Sequence, residues 1–228
     1  MADDAQLCAV YGGRGSGKSA WIKAEIAARK QLVIFDPMAD YATGKHGLPS
    51  VKETETLIGL QRAIEANWTG FRVQYRPRAG NESASLSAIC KYLLSLRESY
   101  RQTKKGGFLT LVVDEVHLAF PSLGGVQKCQ GFAEVCTIGR HYGIEVFTAT
   151  QRVTNVHRDF RTNATRRVVF RQQDRADART ASELVDATPQ EIGMLPKLNF
   201  FEQNNGIERA GVVKFRQGRK TGQISYVR

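Results

Sequence analysis

Eight residues near the start of the chain have the types and spacing to hold a phosphate chain. Gly12-Gly13-Arg14-Gly15-Ser16-Gly17-Lys18-Ser19 completes the pattern G-x-x-x-x-G-K-[ST]. The glycines allow backbone N–H groups to turn inward as an anion nest, and a helix start behind them adds partial positive charge. Lys18 would reach the β- and γ-phosphates of a nucleoside triphosphate, and the Ser19 hydroxyl would ligate Mg²⁺. The flanks suit the motif. Leu7–Tyr11 is apolar and reads as a buried strand, and Ala20–Ala28 reads as a helix with few breakers.

A second run supplies carboxylates. Phe108-Leu109-Thr110-Leu111-Val112-Val113 is an apolar strand that ends in Asp114-Glu115. Metal-assisted phosphoryl transfer needs two acids with different tasks. Asp114 would hold the magnesium shell together with Ser19, and Glu115 would polarise the attacking water as a general base. His117 follows closely and reads as a packing residue. A third apolar strand, Ile144–Thr150, ends in Gln151, which would contact the γ-phosphate or the attacking water. Arg152, Arg158, Arg161, Arg166 and Arg167 follow. A guanidinium can stabilise charge on a transferring phosphoryl group, and Arg152, Arg158 and Arg161 are the candidates among these.

These groups need a scaffold of strands ending along one edge. Leu32–Phe35 is a further buried strand, closed by Asp36-Pro37 at the edge where open α/β sheets place ligands. A turn-starting Asp before Pro explains Asp36 equally well. The pattern predicts a loop over 40–50 and a strand at Phe71–Tyr75. It predicts helices over 54–68, 85–100 and 126–142, the last interrupted by Gly131 and Gly139. Val168–Phe170 reads as a strand, 175–185 and 189–195 as helical. Phe200-Phe201 and Ala210–Phe215 suggest a hairpin turning at Asn204-Asn205-Gly206. The expected fold is α/β, with a central, mostly parallel sheet, helices on both faces, and antiparallel strands at the C-terminal end. No linker or repeat divides residues 1–228, so one domain is expected.

The chain of 228 residues is 42% hydrophobic and 24% charged, which excludes a disordered polymer. Lys and Arg number 33 against 22 Asp and Glu, a formal charge of +11. That excess points to a polyanionic partner. The basic segments around Arg78, Lys104 and Arg219 are candidate contacts. Cys8, Cys90, Cys129 and Cys136 show no metal or disulfide spacing and read as reduced core residues. No apolar run approaches a membrane span, and the acidic start is unlike a signal peptide. A cytoplasmic location is expected.

With these segments in place, the chain resembles the FtsK/HerA superfamily of DNA-pumping P-loop ATPases. The resemblance rests on residues 12–19, on Phe-Asp-Pro-Met-Ala-Asp-Tyr at 35–41, on Val-Val-Asp-Glu at 112–115, and on Gly-Arg-His-Tyr-Gly-Ile leading to Thr-Gln-Arg at 139–152. The second stretch is similar to the Asp-Pro-x-Gly-Glu-Tyr segment of HerA-type proteins, with Ala39 in place of the Gly and Asp40 of the Glu. Together the four cover about two thirds of the chain; past Arg167 nothing matches. The resemblance implies a three-layer RecA/FtsK-like P-loop fold, Mg-ATP as the hydrolysed ligand, and double-stranded DNA gripped by its phosphates. It also implies a homo-oligomeric ring in which Arg140 acts as a finger on the neighbouring subunit's nucleotide. For a chain of this length it points to genome-packaging ATPases of membrane-containing double-stranded DNA viruses. Those act at a capsid vertex beside portal-type proteins, in the host cytoplasm or associated with the virion. Filamentous-phage assembly ATPases are the alternative, although they usually carry a membrane span. A small kinase is disfavoured by the Asp114-Glu115 pair and the Gln151 strand.

Overall fold

Strand β1 (Leu7–Tyr11) is buried along its whole length because it lies in the middle of a sheet covered on both faces. The computed structural model describes residues 5–41, 47–215 and 221–227. The other strands in chain order are β2 (Leu32–Phe35), β3 (Lys52–Thr54), β4 (Arg72–Tyr75), β5 (Leu109–Val113) and β6 (Ile144–Thr150). They continue with β7 (Arg166–Phe170), β8 (Asn199–Asn204), β9 (Ile207–Lys214) and β10 (Gln223–Tyr226). The order across the sheet is β10-β9-β8-β7-β1-β6-β5-β2-β4-β3. From β7 to β3 all pairings are parallel; β8, β9 and β10 add on antiparallel.

The helices are α1 (Lys18–Ile26), α2 (Leu57–Glu65), α3 (Glu82–Leu96), α4 (Glu98–Thr103) and α5 (Val116–Ala119). They continue with α6 (Gly125–Lys128), α7 (Gln130–Ile138), α8 (Arg158–Asn163), α9 (Arg175–Ser182) and α10 (Pro189–Met194). Successive strand side chains point to opposite faces. Val10, Ile34, Val112, Phe147 and Val168 therefore meet Trp21, Ile22 and Ile26 of α1 on one face. Tyr11, Val33, Leu111, Val113 and Val146 meet α2, α3 and α7 on the other, through Leu60, Ile64, Leu86, Ile89, Leu93 and Phe132. Each such side chain contributes roughly 1.5–3 kcal/mol by leaving water. This is the mostly parallel α/β sheet expected from the pattern, with its antiparallel end. All four cysteines are free, and Cys8, Cys90 and Cys129 are fully buried.

The local differences have physical reasons. The helix expected over 54–68 begins only at Leu57, because Thr54 pairs with Tyr75 as the edge strand β3 and Thr56 caps the helix by accepting from Gly59 N at 3.1 Å. It ends at Glu65, so Trp68 lies beyond it and is exposed rather than on the buried stripe. The helix expected over 85–100 starts at Glu82 and breaks at Arg97. That guanidinium is drawn inward to Tyr142 O at 3.0 Å and Gly107 O at 2.7 Å. The segment 126–142 breaks at Cys129 and closes in a tight 3-10 turn, Gly139–Tyr142. Gly143 follows at φ 64°, where an added Cβ would strike the Tyr100 ring at 2.6 Å. The hairpin turns at Asn205-Gly206, both with positive φ, as such two-residue turns require. Strand β10 had no sequence signal. The loop tip at 42–46, and Arg219 in the basic tail, lie outside the described residues.

Candidate nucleotide site

Register decides which residues meet. Tyr11 pairs with Thr150, so Gly12 and Gln151 emerge side by side at the carboxyl edge. Phe35 pairs with Val113, so Asp36 and Asp114 do the same. Val113 pairs with Thr148, which sets Glu115 level with the end of β6. Strand β6 separates the two motif strands and carries Gln151 between them.

Gly17 shows why the loop sequence is so small. It sits at φ 128°, and a Cβ there would meet Phe170 at 2.9 Å and Leu198 at 3.0 Å. Ser16 N returns to Gly13 O at 3.2 Å and Gly13 N reaches Arg171 O at 2.9 Å, which closes the turn onto β7. Arg14 and Gly15 form the exposed crest. The Ser16 hydroxyl is buried without a hydrogen-bond partner. Lys18 turns inward, its ammonium donating to Gly12 O at 2.8 Å and Gly13 O at 3.4 Å. Burial lowers its pKa while Glu115 and Asp114 oppose that shift, so both acids act on it. A buried cation, an orphan hydroxyl and a helix start facing outward fit a triphosphate.

The two acids differ. Asp114 is buried, and burial first, then the neighbouring Asp36 and Glu115, push its carboxyl up to about 7 against the pull of Lys18. An acid so placed fits a divalent cation, which would offset the carboxylate repulsion. Glu115 is the N-cap of α5 at φ 43°, in the left-handed region that a non-glycine residue enters at a cost of about 1–3 kcal/mol. The Glu115 side chain has partners of its own, Gln151 and His117. Burial pushes its pKa up, but hydrogen bonds from His117 and Gln151 and the charge of Lys18 outweigh it, and the net shift is downward. Gln151 Nε2 donates to Glu115 Oε1 at 2.7 Å, and His117 Nδ1 lies 3.3 Å from Glu115 Oε2. His117 also meets Thr150 Oγ1 at 3.2 Å. Its position is therefore at the acid, not simply in the packing beneath it.

A family model described as "Zonular occludens toxin (Zot)" matches residues 42–182. The chain belongs to the Zot family. Its fold is that of P-loop ATPases. The genome packaging NTPase B204 of Sulfolobus turreted icosahedral virus 2, solved with AMPPCP, is similar at 19% identity and TM-score 0.63, over 90% of this chain and 96% of that one. VirB4 of Thermoanaerobacter pseudethanolicus is similar at 12% identity and TM-score 0.64, over 92% and 90%. EssC (ATPases 2 and 3) from Geobacillus thermodenitrificans is similar at 11% identity and TM-score 0.58, over 97% of this chain and 39% of that one. A comparison with curated proteins finds no match.

Other expected residues of this Zot-family ATPase fall elsewhere. Arg140 is exposed on the 3-10 turn before β6, at the amino edge of the sheet. The seven residues of β6 span roughly 20 Å, so Arg140 and Gln151 mark opposite edges. Arg166 is buried, paired with Glu25 at 2.9 Å and Glu202 at 3.2 Å. Arg167 donates to Gln203 at 2.9 Å. Both are structural. Arg152 stays exposed, 4.0 Å from Asp177. Asp36 proves to be a turn former, accepting from Met38 N at 3.1 Å and Tyr41 N at 2.9 Å. No helix among the described residues is long and apolar enough to cross a membrane.

Sequence reasoning missed two braces of the loop. Gln172, buried past the end of β7, accepts from Gly12 N at 3.1 Å and donates to Gln151 O at 3.2 Å once its amide is oriented to suit both neighbours. A polar pair, Gln172-Gln173, directly after an apolar strand was the available signal. Leu198 N donates to Ser16 O at 2.9 Å, from a residue held at φ 69°. Nothing local in the sequence marks it.

Proposed function

We propose that the chain is a motor subunit that couples magnesium-dependent ATP hydrolysis to movement of double-stranded DNA. Packaging of a viral genome into a preformed capsid, with vertex or portal-type proteins as docking partners and the host cytoplasm as the setting, is the process it fits best. The observation that carries this reading is the gathering of Lys18, Asp114, Glu115 and Gln151 on one sheet edge, with Arg140 on the other. In this reading Arg140 would reach a neighbour's nucleotide, which favours a ring, and the exposed Arg152 beside Gln151 is the competing guanidinium. The charge of +11 and the likeness to a packaging NTPase support the DNA step.

Glu115, kept ionised, would take the proton of the attacking water, and Gln151 would hold its carboxylate in line. Lys18 and the loop amides would orient the phosphates, and Ser19 with Asp114 would hold magnesium. Bound there, magnesium would neutralise charge on the β- and γ-oxygens. Arg140 of an adjacent subunit would stabilise the transferring phosphoryl group, an effect worth about 10³–10⁵ in kcat.

The test is ATPase activity with and without duplex DNA, at two salt concentrations. Stimulation that fades with salt is expected, because the grip is on phosphates. A rate indifferent to duplex DNA would remove the translocation reading and leave the ATPase. Mixing Arg140→Ala with Lys18→Ala subunits should restore some activity, since one intact site forms between them. No recovery at any ratio would remove Arg140 from its role.

A further inference from the structure

The segment that follows β2, up to Tyr41, carries more machinery than the turn role of Asp36 explains. Asp36 fixes the backbone N–H of Tyr41 at 2.9 Å, and Leu48 N donates to the Tyr41 carbonyl at 2.7 Å. Ala39 takes φ 59° to complete the bend, a left-handed conformation at the position where the resembling segment has Gly. From the other side comes Lys23, buried on α1. Its ammonium donates to Asp40 O and lies 5.1 Å from the centre of the Tyr41 ring. Tyr41 is thus pinned by its backbone on both sides and covered by a cation.

What the pinning delivers is a hydroxyl. Tyr41 is 0% exposed, and its OH has no partner of full hydrogen-bond geometry. It interacts with the Ser19 side chain and faces Asp114 and Asp36. A phenol is protonated at neutral pH and has a proton to donate. A buried hydroxyl whose Ser19 contact falls short of full hydrogen-bond geometry calls for an explanation.

We propose that Tyr41 is a positioning residue of the nucleotide site, its buried hydroxyl setting the Ser19 hydroxyl in the rotamer that meets the nucleotide's magnesium. A hydroxyl oxygen has two lone pairs. Tyr41 takes one by donation, which leaves the other for the cation and directs the Ser19 proton toward Asp114. Lys23 acts through Tyr41: it holds the ring down and supplies positive charge beneath a cluster of Asp36, Asp40 and Asp114. The proposal rests on the magnesium–nucleotide reading of the site.

Tyr41→Phe keeps the ring, its burial and the Lys23 contact, and removes only the hydroxyl. Binding of ATPγS is measured by calorimetry in EDTA and across a magnesium titration, with the thermal midpoint of the nucleotide-free protein as a check on folding. The variant should match wild type in EDTA and in thermal midpoint, yet need about 3–10-fold more magnesium to reach half of the metal-dependent gain. On a Ser19→Ala background, Tyr41→Phe should add nothing. An unchanged magnesium midpoint in Tyr41→Phe, or an equal loss in EDTA, would overturn the Tyr41 role while leaving the site intact. Absence of any magnesium-dependent gain in wild type would overturn both this role and the reading beneath it.

Discussion

Two buried charge clusters lie on α1's side of the sheet, and they are built to opposite rules. At one, Arg166 binds Glu25 and Glu202, donates to the Tyr226 hydroxyl oxygen, and stacks over Trp21 at 4.6 Å. Tyr226 also donates to Glu202 at 2.9 Å. The charges interlock, and the cluster ties α1 to β7, β8 and β10. At the carboxyl edge, the buried Asp36, Asp114 and Glu115 gather around Lys18 and Lys23, with Asp40 exposed beside them. There the Asp114 carboxyl is pushed to about 7, and the buried Ser16 hydroxyl has no hydrogen-bond partner. At Arg166 one guanidinium is hydrogen-bonded to both acids, and the cluster holds elements together. At the carboxyl edge the neighbouring acids raise one another, a standing cost that a bound cation and polyphosphate would relieve.

The comparison is broken if neutralising either cluster has the same kind of effect. The largest separation should come from Glu115→Gln, which should lower kcat by about 10²–10⁴ as a general base is lost. ATP affinity and thermal midpoint should stay near wild type, because the amide can still bond Gln151. Steady-state turnover beside calorimetric binding checks this, and retained turnover would remove Glu115 from its role. Arg166→Ala should do the reverse. Leaving Glu202 buried and unpaired should cost about 3–5 kcal/mol in urea unfolding, with nucleotide affinity of the folded fraction unaltered.

Asp114 gives a sharper, pH-dependent contrast. Its carboxyl stands near 7 in the folded chain against an ordinary 3.8, so the fold favours the protonated acid. That contribution is complete below about pH 4 and is lost as pH rises through about 7. Wild type without nucleotide should therefore lose stability over this window relative to Asp114→Asn, and at pH 8 the variant should melt higher. Melting curves at pH 5 and 8 read the difference; a variant that melts lower at pH 8 would contradict the assigned cost. The smallest effect is at Ala39. Ala39→Gly relieves a left-handed alanine but frees the unfolded chain, for a net gain of up to about 1 kcal/mol. The gain should not alter hydrolysis.

How much of this was legible follows from the range of the forces involved. The glycine loop, the acid pair and the apolar strands are local patterns, and the parallel order follows from alternating strands and helices. Register then carried Gln151 and Asp114 to one edge without further information. The Asn205-Gly206 turn was visible because only certain residues accept its dihedrals. What the sequence hid depends on contacts distant along the chain. Leu198 braces Ser16, Gln172 braces Gly12, and Arg166 reaches Glu25 across 141 positions. The helix break at Arg97 arises from a tertiary pull that overrides local propensity. His117 was visible as a residue, but its place at Glu115 required the backbone to enter the left-handed region at φ 43°.

The central claim is that loop and acid pair share one magnesium–triphosphate. Calorimetric titration of Asp114→Asn with ATPγS, with and without magnesium, tests it most directly. The account expects metal-free affinity to be kept or improved, since a buried negative charge is gone, and the magnesium-dependent gain to fall at least about tenfold, roughly 1.4 kcal/mol. A variant whose affinity still rises with magnesium as wild type does would place the metal elsewhere and contradict the account.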